Sequence, residues 1–108
     1  MTTENNVKPK LIGEVDQTQI DAWKKLHGKV YSYKCDGRIC YLKPVGRDAY
    51  SLATSKVSTS PAKYNETIIE QCWLGGDDTL RTQDNYYFGL KDITDELMDK
   101  KAGELGEL

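Results

Sequence analysis

The sequence predicts a mostly helical α+β domain: a short N-terminal helix, one β-hairpin, and then three helices packed on the hairpin. Asp36-Gly37 lies between two runs in which apolar and polar residues alternate, which is the local signal for a hairpin. Elsewhere, apolar residues recur every three to four positions, as they do in amphipathic helices. The 108 residues are enough for one domain with one modest core.

The composition argues against several classes of function. The net charge is -2 and the lysines and arginines are spread along the chain, so the basic stripe of a nucleic-acid-binding protein is missing. No apolar run approaches the roughly 18–20 residues that span a bilayer, and residues 1–10 lack the apolar core of a secretion signal. We therefore expect a cytoplasmic protein that binds neither nucleic acid nor membranes.

The domain is expected to span residues 16–101. Residues 1–15 contain few large apolar side chains and are predicted to be a flexible leader, and residues 102–108 a flexible tail. A second interpretation of the leader is that Leu11 and Ile12 dock on the core or on a neighbouring copy.

The first helix is predicted over residues 16–27. Asp16 or Thr18 can accept a hydrogen bond from the free N–H groups of the first turn. Gly28 stands where a left-handed residue commonly ends a helix. Trp23 lies on the apolar face and is expected to anchor the helix on the core.

The hairpin is predicted over residues 29–43, with Asp36-Gly37 as a two-residue turn. The predicted cross-strand pairs are Cys35 with Arg38, Tyr33 with Cys40, and Tyr31 with Leu42. The face that carries Tyr31, Tyr33, Cys35, Cys40 and Leu42 is expected to meet the core. Cys35 and Cys40 are diagonal neighbours, too far apart for an unstrained disulfide, so free thiols are expected. One strand edge is expected to stay open for strand addition between protomers.

A helix is predicted to begin with Ser60 as its N-cap and Pro61 as its first residue. It is expected to end at Trp73 or Leu74, because the Gly-Gly pair at 75–76 can close its C-terminus.

Two more helices are predicted, over residues 47–57 and 84–101. The second of these carries an apolar stripe at helical spacing, formed by Tyr86, Leu90, Ile93 and Leu97.

No motif predicts catalysis or a cofactor. The single histidine, His27, has no recognisable partner for acid–base chemistry. The Gly-Gly-Asp-Asp stretch at 75–78 lacks the ligand spacing of a calcium loop and does not follow a strand, as a phosphate loop does. The three cysteines form no CxxC pair, which weakens a zinc site. We predict a non-enzymatic protein without a metal or cofactor.

Two motifs carry a family resemblance: NETIIEQCWLGG at 65–76 and YLKP at 41–44. Together with the order of elements, they resemble the small tail-assembly chaperones of long-tailed bacteriophages and prophages, over about residues 20–98. The resemblance implies a protein that coats the tape-measure protein, helps tail-tube subunits assemble around it, and is absent from the mature virion. It also implies action in the cytoplasm of the bacterial host.

A chaperone of this kind needs apolar or aromatic strips on its surface. The candidate partner-binding residues are Tyr64, Ile68, Trp73, Leu74, Tyr86, Tyr87, Phe88, Leu90 and Met98. For each of them, the competing interpretation is a place in the domain core. A homo-oligomer is also expected. Two other functions remain open: a small phage-borne regulator or inhibitor that binds a host protein, and a minor structural protein of the virion.

Overall fold

A computed structural model describes residues 10–108; the rest of the predicted leader, residues 1–9, lies outside this range. The elements in chain order are α1 (Gln17–His27), β1 (Tyr31–Cys35), β2 (Arg38–Leu42), α2 (Arg47–Ser55), α3 (Lys63–Cys72), β3 (Trp73–Gly76), α4 (Thr79–Thr82), α5 (Asp84–Lys91) and a 3-10 helix (Thr94–Leu97). The predicted class, α+β and mostly helical, is confirmed.

The hairpin has the predicted turn and register. Asp36 and Gly37 both have positive φ, 54° and 75°, as a two-residue turn of this kind requires. The observed pairs are Tyr31 with Leu42, Tyr33 with Cys40, and Cys35 with Arg38.

The predicted end of the helix that was expected to begin at Pro61 is wrong. The helix ends at Cys72, and Trp73–Gly76 forms a third strand that pairs antiparallel with β2. Gly76 has φ 115°, and a Cβ there would lie 2.5 Å from the Cα of Cys40. The Gly-Gly pair therefore allows two strands to approach closely, a long-range pairing that the local helix signals concealed.

Helices cover both faces of the sheet at β2. The inner face, which carries Cys40 and Leu42, packs on a cluster completed by Ala53, Ile68, Ile69, Cys72, Leu80, Leu90 and Leu97. The outer face carries Ile39 and Tyr41, which are also buried. The ring of Trp23 in α1 lies 5.5 Å from that of Tyr41, so α1 packs on the outer face with Trp23 as its anchor.

The segment before α1 pairs with the tip of β2. The N–H of Ile12 donates to the carbonyl of Gly37, and the N–H of Ile39 donates to the carbonyl of Ile12, both at 3.0 Å. The N–H of Asp77 donates to the carbonyl of Ile39 at 2.9 Å. Ile12 thus joins the sheet through its backbone, while its side chain stays 55% exposed.

The last predicted helix, 84–101, is too long. α5 ends at Lys91, and the hydroxyl of Thr94, 3.0 Å from the carbonyl of Lys91, competes with the backbone bonds of a continuing helix. After the 3-10 helix, the chain to residue 108 has no regular structure, and its two leucines are fully exposed.

Two other helix boundaries also differ from the predictions. α2 ends at Ser55, and α3 begins at Lys63 without a side-chain cap, so Ser60 does not act as the predicted N-cap. No helix among residues 10–108 has both the length and the apolar character needed to cross a bilayer.

Candidate functional site

An open groove of about 690 Å3 lies between the start of α3 and the exposed side of α5. We call it the α3–α5 groove; its lining residues are Pro61, Ala62, Asn65, Glu66, Arg81, Thr82, Asp84, Tyr87, Phe88 and Lys91. A smaller pocket of about 180 Å3 continues it toward Ile69 and Glu70. Together they form a shallow channel along the side of α3.

The register of α5 places two aromatic rings in this groove. Leu90 faces the core and is fully buried. Tyr87, almost one helical turn earlier, is half-buried in the groove. Phe88 points away from the core and is 58% exposed, more than any other aromatic side chain of the described residues. One wall of the groove thus presents an apolar ring to solvent.

Short contacts fix the groove walls. The Thr94 hydroxyl donates to Oδ1 of Asn65 at 3.0 Å, which ties α3 to the chain that follows α5. The guanidinium of Arg81 lies 4.3 Å from the ring centre of Trp73 and donates to Asp78 at 2.5 Å. Because these partners hold Arg81 on both sides, its place at the end of the groove is set before any ligand binds.

The groove has no net charge. Two acidic side chains, Glu66 and Asp84, and two basic ones, Arg81 and Lys91, line it. Burial, and then the charge of Glu66, raise the pKa of Tyr87. Its hydroxyl therefore keeps its proton at neutral pH and can donate a hydrogen bond to a ligand. This chemistry suits an amphipathic ligand better than an anion.

The structure brings only part of the predicted partner-binding set to this groove. Tyr87 and Phe88 line it, and Trp73 lies beneath Arg81 at one end. Ile68 and Leu90 are fully buried in the core cluster and offer no surface to a partner.

The other four predicted residues are half-buried and lie elsewhere. Tyr64 packs edge-to-face on Tyr50, and Tyr86 donates from its hydroxyl to Asp36 at the hairpin turn. Leu74 lies in β3 and Met98 follows the 3-10 helix. The nine residues therefore do not form one continuous strip.

Sequence reasoning missed the opposite wall of the groove. Pro61 and Ala62 are exposed at the start of α3, and Asn65 and Glu66 follow on its first turn. Nothing in the local sequence distinguishes these residues from an ordinary helix start. Only the packing of α3 beside α5 places them opposite Phe88.

The two buried thiols and the single histidine do not line the groove. Burial raises the pKa of the Cys40 thiol to about 12 and also raises that of Cys72, so both stay protonated and unreactive at neutral pH. His27 shares a cleft with Asp48, but no hydrogen bond joins the imidazole to any carboxylate or thiol of the described residues. Within residues 10–108, no three potential metal ligands cluster together.

Comparison of the chain with protein-family models, curated proteins and solved structures finds no match. The function proposed below therefore combines the geometry of the groove with the resemblance that the sequence motifs carry.

Proposed function

We propose that this protein is a non-enzymatic tail-assembly chaperone of the phage type, and that the α3–α5 groove holds apolar helical segments of the tape-measure protein. The observation that supports this proposal is the open groove, with Phe88 exposed on one wall and Tyr87 half-buried within it. An exposed aromatic ring beside an open groove of mixed polar and apolar lining supports a surface that binds another chain.

The size of the groove suits one face of a helix. Ligand-binding clefts commonly measure about 300–1,000 Å3, and the groove, at about 690 Å3, falls in this range. A helix in such a groove inserts side chains spaced three, four and seven residues apart. The acidic and basic side chains at the groove can pair with the polar flanks of the same helix.

The proposed role follows from covering such segments. A tape-measure protein exposes long apolar helices before the tail tube closes around it, and each bound chaperone would shield one of them from aggregation. Tail-tube subunits would then displace the chaperone during assembly. The proposal thus expects a protein that acts in the host cytoplasm and leaves before the virion is complete.

Co-expression with the tape-measure protein encoded by a neighbouring gene tests the proposal. The wild-type chain should increase the soluble yield of that protein, and Phe88→Glu should abolish most of the increase. Leu26→Glu is the matched control, because Leu26 is 76% exposed on α1 and lies outside the groove. A soluble yield that does not respond to the chain, or that falls equally with both variants, would contradict the proposal.

Two outcomes would favour the other functions. Capture of one globular host protein by the wild-type chain and not by Phe88→Glu would indicate a regulator or inhibitor. Detection of the chain by mass spectrometry in purified particles would indicate a structural protein of the virion.

A further inference from the structure

The two sides of the β1–β2 hairpin differ in how their backbone groups are satisfied. On the β2 side, the N–H and C=O groups of Ile39 are bonded to Ile12 and Asp77. β3 then pairs with the rest of β2 through Gly75 and Gly76. This side of the hairpin is closed to any further strand.

On the other side of the hairpin, β1 is an edge strand of the sheet, as β3 is at the opposite end. The two-residue turn makes Cys35 and Arg38 a hydrogen-bonded pair. From this pair onward, hydrogen-bonded and non-hydrogen-bonded pairs alternate along the hairpin. The N–H and C=O groups of Ser32 and Lys34 consequently point away from β2. No hydrogen bond within residues 10–108 reaches them, and we call these groups the β1 edge.

We propose that the β1 edge pairs antiparallel with the β1 edge of a second copy of this chain, about a two-fold axis at Tyr33. The three-stranded sheets of the two copies would then form one sheet of six strands. An antiparallel edge is self-complementary, since the same donors and acceptors meet after a two-fold rotation. This pairing does not depend on what the α3–α5 groove binds.

Charge selects the register of a pairing between two copies. With the axis at Tyr33, Lys34 stands opposite Ser32 of the partner subunit, and no like charges face each other. With the axis at Lys34, two ammonium groups would be directly opposite, which is unfavourable. Ser32 is small, exposed and free of side-chain bonds among the described residues, so it leaves room for the lysine.

The inner face of β1 also points to a continuation of the sheet. Tyr31, Tyr33 and Cys35 all pack against the core cluster, yet each remains half-buried because the sheet ends beside them. A second β1 in the proposed register would place Tyr33 beside its own copy and Tyr31 beside Cys35 of the partner subunit. The three half-buried side chains would then lie in the interior of a continuous sheet.

Sedimentation equilibrium of the full chain, from about 10 μM to 1 mM at low salt, tests the proposal with two charge variants at one position. Ser32→Lys places like charges opposite each other and should weaken the dimer about three- to tenfold. Ser32→Glu places opposite charges together and should strengthen it by a similar factor. Both effects should diminish in 0.5 M salt, because exposed charges are screened.

Matched controls separate this pairing from other contacts. Ser51→Lys and Ser51→Glu make the same charge changes at an exposed position of α2 and should leave the association unchanged. Removal of residues 102–108 should also leave it unchanged, since the tail takes no part in the proposed sheet. Circular dichroism confirms that each variant is folded.

Four results would overturn the proposal. In the first, the wild-type chain stays monomeric up to 1 mM; in the second, neither Ser32 variant changes the strength of the dimer. In the third, both Ser32 variants weaken the dimer equally; in the fourth, the dimer is lost when the tail is removed. The third would indicate an axis at Ser32 or a different surface, and the fourth would make the tail the occupant of the edge.

Discussion

The two faces of the sheet are covered in different ways. On the inner face, Leu42 lies among buried side chains from four helices and the 3-10 helix. On the outer face, α1 has no fully buried residue of its own, yet it covers Tyr41 through the ring of Trp23. The inner face is therefore a core, whereas the outer face is a lid held by one aromatic anchor. Four predictions rest on this arrangement of the sheet.

The inner face should give the largest effect. Leu42 is fully buried, and Leu42→Ala should lower the free energy of unfolding by about 3–4 kcal/mol, through lost burial and the cavity left behind. Urea denaturation monitored by circular dichroism measures this change. The control is Leu52→Ala, because Leu52 is 41% exposed on α2; a loss as large as that of Leu42→Ala would refute the contrast.

The glycines of β3 should differ from each other. Gly76→Ala should cost about 3 kcal/mol, because φ is 115° and the new Cβ would meet the backbone of Cys40 at 2.5 Å. Gly75→Ala should cost less than about 1 kcal/mol, since its nearest neighbour is the Trp23 side chain at 3.1 Å, which can move. Thermal unfolding of the pair measures this difference, and equal melting temperatures would contradict the strand geometry.

The lid should give a smaller effect than the core. Trp23→Ala should lower the free energy of unfolding by about 2 kcal/mol, less than for a fully buried Trp, because Trp23 is half-buried. Hydrogen exchange should show α1 losing protection while the hairpin amides keep theirs. Leu26→Ala, on the exposed side of the same helix, serves as the control. If the hairpin lost protection together with α1, the outer cover would be part of the core.

The smallest expected effect depends on pH. The guanidinium of Arg38, 2.6 Å from Asp77, holds the pKa of that carboxyl below its usual value of 3.8. Since the folded-state pKa is the lower one, the stabilisation is present above pH 3.8 and is lost as pH falls through the folded-state value. Asp77→Asn should therefore be less stable than wild type at pH 6, with the difference narrowing below pH 3.8.

Urea titrations at several pH values measure this narrowing. Asp78→Asn is the neighbouring control, because its carboxylate is 62% exposed and pairs only with Arg81. A difference between wild type and Asp77→Asn that stays constant from pH 6 to pH 2 would rule out the ion pair as its cause.

Local signals predicted the hairpin and α1 well. The turn at Asp36-Gly37 determines the register of every pair that follows, and the side chain of Asp16 caps α1 as expected, at 2.9 Å from the Gln19 N–H. Both features depend on residues close in sequence, so the sequence pattern contains the information they need.

Features that depend on distant residues were missed. The Gly-Gly pair after α3 has the local chemistry of a helix end, and only the position of β2 makes it a strand. The α3–α5 groove was not predicted. Tyr87 and Phe88 were named as candidate partner-binding residues, but nothing in the sequence near Pro61 indicates which surface it will face. The sequence pattern of one element predicts which of its faces is buried, but not which other elements pack against that face.

α3 passes directly from Cys72 into Trp73 of β3, with no loop between helix and strand. The carbonyl of Cys72 also accepts a hydrogen bond from Lys43, just beyond β2, at 2.9 Å. α3 therefore cannot slide along its axis without shearing the sheet. If a chain binds in the groove as proposed, its load on α3 would be transmitted as mechanical stress across the strands to β1, where the second copy is proposed to join.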